Sequence, residues 1–372
     1  MRYKEVVKKI SVPAENKIKQ KQYIENGRLP VIDQGSKLIG GYSDNEEKVV
    51  KCNLPVIVFG DHTKCVKYVN FPFCAGADGI KVLKPNDDCS EKYLYYLTKY
   101  VALKIKDHGY ARHYQYVEKE EVYIPSLNEQ ARIVSRIEEL FSELDKGVET
   151  LQIIKVQLTV YRQAVLKMIF ASMNERKPIQ EVSSLVTSGS RGWAKYYSEE
   201  GGRFIRITDL TRDKIKLKNN AIQRVLLPEE AEGKRSRLQG NDVLISITAD
   251  LGSIALVPED VEEAYINQHI AVVRFVNSHQ GEFMAWYLKS DYGQKELLRN
   301  KRGGGKLGLG LDDIRNTPVP IVSDEVADEV VSEIESRMSV CDSIEQIVDT
   351  ALSQTEAMRQ SILKKAFEGG LN

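Results

Sequence analysis

Arginine, lysine, histidine, asparagine and glutamine recur in short loops of this 372-residue chain, several of them rich in glycine. These are the side chains that read base edges in the major groove: Arg or Lys meets the acceptors of guanine, and Asn or Gln meets the acceptor–donor pair of adenine. In the first third the candidates are Lys37 in the Gln34–Gly41 loop, His62 and Lys64, and then Arg112, His113 and Gln115. Tyr110 and Tyr114 could stack on sugars or flank phosphates beside them. Further on they are Ser190 and Arg191, Arg206, the run Asn267-Gln268-His269, and Lys301, Arg302 and Lys306. Any one of these taken alone also reads as a solvated surface residue, and Asn267-Gln268-His269 as a polar turn that satisfies its own backbone. The loops His108–Tyr114 and Lys301–Gly308 carry the strongest expectation. Each follows a helix-like stretch, precedes a proline-marked segment, and contains glycine, which lets backbone N–H groups approach phosphates closely.

Catalytic patterns are weak by comparison. Gly303-Gly304-Gly305-Lys306 imitates a phosphate loop, but Leu307 stands where a Ser or Thr must bind Mg²⁺. No Asn/Asp-Pro-Pro-Tyr/Phe core of an adenine methyltransferase is present. Asp33 after Pro30, followed by Glu46-Glu47-Lys48, loosely resembles a nuclease metal site and leaves open a stand-alone Mg²⁺-dependent nuclease using Asp33, Glu46 and Lys48. The five cysteines form no CxxC pair, and His62-x-x-Cys65 has no matching ligand pair nearby, so reduced, mostly buried thiols are expected rather than zinc. The expectation is a chain with no catalytic residue, no metal and no cofactor of its own.

Formal charge sums to zero, yet residues 323–372 hold 4 basic against 11 acidic residues, leaving both larger blocks mildly basic. That supports modest DNA binding by the chain alone, with a partner adding positive charge. No run of eighteen apolar residues and no basic-then-apolar segment after Met1 occurs, which predicts a cytoplasmic protein with no membrane partner.

An internal repeat marks the helices that carry these loops. Tyr161-Arg162-Gln163-Ala164-Val165-Leu166-Lys167 returns 197 residues later as Met358-Arg359-Gln360-Ser361-Ile362-Leu363-Lys364, and Asp145 meets Asp342 at the same offset. Around each copy runs a heptad seam: Ile137, Leu140, Leu144, Leu151, Leu158, Tyr161 and Met168 in one, Ile334, Met338, Cys341, Ile344, Val348 and Met358 in the other. Ser126 and Ser323 are the expected caps. The seams predict two long helices packed as an antiparallel coiled coil, and the order block, helix, block, helix gives residues 1–125, 126–174, 175–322 and 323–372. Each block shows strand-like runs and then a helix (Ser90–Ile105; Gly281–Leu298). The fold class is therefore α+β, two mixed α/β globular domains separated by two long helices with pseudo-two-fold character. A coiled-coil scaffold whose blocks bind protein rather than DNA is the other reading this plan allows.

The junction Ile124-Pro125-Ser126-Leu127-Asn128-Glu129-Gln130, the repeated long helix, and the entry to the second block also carry a resemblance. That entry reads Ile179-Gln180-Glu181-Val182, Thr187-Ser188-Gly189-Ser190 and Gly202-Arg203-Phe204-Ile205-Arg206-Ile207-Thr208-Asp209-Leu210. Over essentially its whole length the chain resembles the specificity subunit of type I restriction-modification systems. Gly189-Ser190-Arg191-Gly192 departs from the Gly-Gly-Thr-Pro-like turn of many members, and the opening Tyr3-Lys4-Glu5-Val6-Val7 is short. The resemblance implies a non-catalytic subunit whose two target-recognition domains each read half of a split site in double-stranded DNA. It further implies docking of two adenine-N6 methyltransferase subunits and, through them, restriction subunits. S-adenosylmethionine, ATP and Mg²⁺ would then belong to those partners.

Overall fold

The structure, a computed structural model, describes residues 1–77, 79–109, 111–227, 236–299 and 308–370. It divides into two compact units, Met1–Gln152 with Asp349–Asn372, and Ile153–Val348. The divisions fall inside the long helices, so each unit joins one block to half of each helix.

In the first block the β-branched runs become β1 (Val7–Ile10), β2 (Leu29–Ile32), β3 (Gly41–Ser43), β4 (Val56–Gly60), β5 (Val66–Val69), β6 (Cys74–Ala75) and β7 (Ile80–Pro85). One antiparallel sheet has the order β1-β7-β4-β5, with β4 buried along its whole length. A second has the order β3-β2-β6, with β2 parallel to β6. Helix α1 (Glu91–Lys104) starts at Ser90, whose hydroxyl accepts from the Tyr93 amide, and buries Tyr93, Leu94, Leu97 and Val101. The short α2 (Tyr114–Val117) follows, and then the long α3 (Leu127–Phe170).

The second block begins with β8 (Arg176–Pro178), α4 (Ile179–Val182) and β9 (Ser183–Ser188). It continues through β10 (Tyr197–Ser198), β11 (Gly202–Ile205), β12 (Gln223–Val225), β13 (Val243–Ser246), β14 (Ile254–Leu256), β15 (Ala264–Ile266) and β16 (Ile270–Phe275). Its sheets have the orders β14-β13-β16-β9 and β10-β12-β11-β15. Read in reverse, the first matches β1-β7-β4-β5 strand for strand. The second repeats β3-β2-β6 with one added edge strand, and β11 is again parallel to β15. The blocks thus share a topology although the sequence shows only a common outline. The single helix expected over 281–298 is two, α5 (Gly281–Lys289) and α6 (Asp291–Leu297). Ser290 is extended and its hydroxyl caps Gly293, which ends one helix and starts the next. After α7 (Leu311–Arg315), β17 (Pro318–Pro320) pairs with β8, and α8 (Asp324–Phe367) closes the chain.

Ser126 and Ser323 cap α3 and α8 as expected, each hydroxyl 3.4 Å from an amide of the first turn. The first half of α3 shares a unit with the last part of α8, and the second half of α3 shares one with the first part of α8, which is the antiparallel order. Packing follows the repeat: Ile137 and Ile334 are fully buried, and so are Leu166 and Leu363 within a few per cent. The ion pairs follow it too. Arg162 donates to Asp342 (2.6 Å), while Arg359, its counterpart, pairs with Asp145, the counterpart of Asp342. Each arginine therefore reaches the aspartate of the other copy. One expectation is corrected. Tyr161, Met168 and Met358 lie on the seam yet are about half exposed. Val165, a seam residue too, is buried as expected; a straight helix drifts about 20° per heptad against a 3.5-residue repeat, so Leu166 and Phe170 join it in the core there.

Candidate nucleic-acid interface

In each unit three separate chain segments are fastened at one end of the sheets by the same backbone device. In the first, the Asp61 amide donates to Gly79 O (2.5 Å), and Asp61 O accepts from the His113 amide (2.8 Å). In the second, the Ile247 amide donates to His269 O (3.0 Å), and Ile247 O accepts from the Leu309 amide (3.0 Å). The strand-to-strand turn, the junction before the last sheet strand and the loop after the helix are thereby held together twice, with different side chains. Both turns hold a non-glycine residue in the left-handed region, Lys64 (φ 58°) and Ala249 (φ 55°). Such strain persists only where surrounding contacts fix it, and it concentrates at functional sites.

In the first unit His62 Nδ1 meets Ala111 O (3.1 Å), and its amide donates to Gln34 Oε1 (3.3 Å). Gly79 sits in the left-handed region (φ 71°), which favours glycine there. Lys64 Nζ donates to Ile105 O (3.2 Å), tying the turn to the end of α1. Arg112 and Gln115 are exposed beside this cluster, and Lys37 is exposed in the β2–β3 loop. His113 is fully buried: Nδ1 lies 3.1 Å from Asp61 O, and Nε2 accepts from the His108 amide (3.3 Å). Tyr114 is also buried, and burial pushes its hydroxyl pKa well up. Both residues hold the loop in shape and present no ring face to a duplex.

In the second unit Ser190 bridges to Asn267, and Ser190 O accepts from the Gln268 amide (3.1 Å) and from Trp193 Nε1 (2.9 Å). Gly189 is required here, since a Cβ would fall 2.0 Å from Ile266 O. His269 Nδ1 meets Thr248 Oγ1 (2.7 Å), and His269 Nε2 meets Gln268 Nε2 (2.9 Å). Arg206 donates to Ala221 O (2.8 Å) and contacts Asp209 (3.4 Å), so its guanidinium is partly committed. Arg191 is exposed. At the turn, the hydrogen bond from Arg212 holds the Asp250 carboxyl below the usual carboxylate range. Tyr110, Lys301, Arg302 and Lys306 lie outside the described residues.

Sequence reasoning passed over Gln34, Thr63 and Thr248, which sit at the centre of these clusters. Thr248 follows Ile247 as His62 follows Asp61, an equivalence that depends on strand pairings distant in sequence. Of the alternative metal site, Asp33 is held by Lys67 and by the Gly35 amide, and Glu46 by Arg28. Among the described residues no group of three or more His, Cys, Asp or Glu side chains could hold a metal ion, and no helix is long and apolar enough to cross a membrane.

The chain is 26% identical over 278 residues to the type I restriction enzyme EcoBI specificity subunit of Escherichia coli, an alignment covering 67% of this chain and 58% of that protein. It is equally 26% identical over 267 residues to the StySPI specificity subunit of Salmonella potsdam, at 67% and 57% coverage. The chain thus spans less than two thirds of the length of these relatives. A solved structure described under complex assembly and conformational transition of the type I R-M system matches it with a TM-score of 0.69 at 16% identity, covering 100% of this chain and 97% of that one. The HsdS subunit from Thermoanaerobacter tengcongensis matches with a TM-score of 0.50 at 17% identity, covering 100% and 96%. Residues 1–153 and 196–348 each match the type I restriction modification DNA specificity domain, and the chain belongs to that family.

Proposed function

We propose that this chain is the DNA-recognition subunit of a cytoplasmic type I restriction-modification complex, with residues 1–125 and 175–322 each reading one half of a bipartite target. The observation that carries this reading is the duplicated backbone clamp, which presents unlike side chains from one topology at the loop end of each block. One scaffold with two different reading surfaces suits a site whose halves differ. In the 175–322 block, Gln268 and Asn267 supply groups for adenine and Arg191 one for guanine or phosphate. In the 1–125 block, Arg112, Gln115 and Lys37 have the same roles. The chain itself does no catalysis in this reading.

The helices 126–174 and 323–372 act as a ruler between the domains and as a platform for two adenine-N6 methyltransferase subunits. Support for the platform lies in apolar stripes left in solvent. Ile153, Val156, Val160 and Met168 recur at helical spacing on α3 and are each about half or more exposed, as are Val340 and Ile347 on α8. S-adenosylmethionine, ATP and Mg²⁺ would be bound by the methyltransferase and restriction subunits. The test is co-expression with the methyltransferase, followed by long-read mapping of methylated adenine. A two-part motif with a fixed unread gap is expected; no motif, or a single continuous one, contradicts the reading.

A further inference from the structure

Arg203 on β11 and Arg224 on β12 stand directly opposite each other across the antiparallel pair, on one side of the sheet. Like charges in that position repel and weaken the pairing. Burial pulls the Arg203 guanidinium below its ordinary value, Asp209 opposes that shift, and the Arg224 charge adds to it. Two more cations stand close by, Arg206 and Lys218. Arg203 donates to Lys218 O (2.6 Å), Lys218 Nζ to Thr208 O (3.0 Å), Arg206 to Ala221 O (2.8 Å) and Arg224 to Gly201 O (2.8 Å). Carbonyl oxygens hold these side chains in place without cancelling their charge. Among the described residues, the carboxylates within 4.0 Å are Asp209, which meets Arg206, and Glu262, which lies 4.0 Å from Arg224 and is 84% exposed. Lys218 is exposed, and both it and Arg224 keep donors to give, since an ammonium carries three and a guanidinium five.

The cluster adjoins the clamp of its block. β11 runs parallel to β15 with Ile205 beside Ile266, so Arg206 leaves its strand next to Asn267, the residue bridged to Ser190. The Ala221 backbone that Arg206 holds is in the left-handed region (φ 80°), a strained conformation for alanine. The first block lacks the cluster. There β2 and β3 pair Leu29 with Ser43, Pro30 with Tyr42 and Val31 with Gly41, and Arg28 just before them is matched by Asp44 and Glu46. Four cations against two carboxylates, ordered on backbone carbonyls beside Asn267, fit the repeated negative charge of a phosphate backbone. We propose that Arg203, Lys218 and Arg224 grip the phosphates of duplex DNA next to the bases that meet the Ser190–Asn267 edge. Phosphate contacts set orientation and affinity and carry no sequence information. The grip rests on the DNA-recognition reading above and adds to it the surface that holds the backbone.

The experiment follows binding of the full-length chain to duplexes of several unrelated sequences by fluorescence anisotropy across a salt series. Wild type is compared with Lys218→Gln, Arg224→Gln and the double variant. Affinity falls with salt to a power of about 0.9 per neutralised phosphate. Each single variant should therefore reduce the slope of log K against log salt by about 0.9, and the double variant by about 1.8. Each lost contact should also weaken binding roughly 8-fold at about 0.1 M salt, on every duplex alike. Lys218→Arg keeps the charge and should keep the slope. Mapping of methylated adenine in cells that carry the double variant with the methyltransferase should return the wild-type motif. An amine-reactive label on the wild-type chain needs no variant to fold, and duplex should protect Lys218 from it. A slope unchanged in the double variant, weakening confined to some sequences, a changed base requirement in the motif, or equal labelling of Lys218 with and without duplex overturns the grip. Wild type that binds no duplex removes the DNA-recognition reading, and the grip with it.

Discussion

Arg162 and Arg359 occupy equivalent places in the repeat, yet replacing each with methionine should have very different costs. The Arg162 side chain is 7% exposed and bonds both Asp342 (2.6 Å) and Glu345 (3.0 Å), which Lys214 also approaches at 3.2 and 3.5 Å. Removing it deletes two charge-assisted hydrogen bonds from a buried guanidinium whose partners Asp342 and Glu345 are 47% and 25% exposed. Hydrogen bonds to charged groups contribute about 1.5–3 kcal/mol each, and Lys214 stays behind to offset part of the loss, so Arg162→Met should cost about 2–3 kcal/mol. Arg359 is 23% exposed and its partner Asp145 66% exposed. Exposed pairs contribute about 0.2–1 kcal/mol, and a methionine keeps apolar contact with the Phe141 ring that Arg359 now covers, so Arg359→Met should cost about 1 kcal/mol or less. Urea unfolding of the purified chain followed by circular dichroism measures both, with amide exchange across 324–348 locating the weakening. Equal losses, or a larger loss for Arg359→Met, would refute the reasoning.

Burial pushes Lys289 down from its ordinary 10.5 to about 8. The folded state therefore binds fewer protons than the unfolded state between those values, and stability contributed by this group rises with pH there. Relative to Lys289→Met, wild type should gain at most about 1.4 kcal/mol per pH unit between pH 8 and 10 in urea unfolding; a flat difference would show that the group titrates normally. Leu166→Ala removes a fully buried side chain and should cost about 2–5 kcal/mol, whereas Met168→Ala, two residues on and exposed, should stay within about 0.5 kcal/mol by thermal denaturation. Val160→Lys with Met168→Lys should leave that melting curve unchanged while abolishing co-purification of the methyltransferase subunit. Arg112→Ala should weaken DNA binding and reduce the slope of log K against log salt by about one, as measured by fluorescence anisotropy.

The helices were legible because their information is local. Seam spacing, Ser126 and Ser323, and the matched pair Ile137 and Ile334 all lie within a few residues of one another or at one fixed offset. The shared topology of the blocks was not legible, because it depends on strand pairings distant in sequence, such as β2 with β6 and β11 with β15. Arg162 is buried where Asp342 and Glu345 meet it across the helix pair, something no periodicity of α3 announces. Residue type and place in the chain do not distinguish buried from exposed positions within a loop. Burial then separated His113 and Tyr114, which shape their loop, from Arg112 and Gln115, which remain exposed next to them. Ser190, Asn267, Gln268 and His269, far apart or adjacent in sequence, do come together.

In the proposed function the paired helices act as a ruler between two reading domains. Inserting one heptad into each of α3 and α8 keeps the seam in register while lengthening the scaffold. Mapping methylated adenine in cells that carry this variant with its methyltransferase should return the same two half-sites with a longer unread spacer between them. An unchanged spacer, or altered half-sites, would show that the helices do not set the distance between the half-sites.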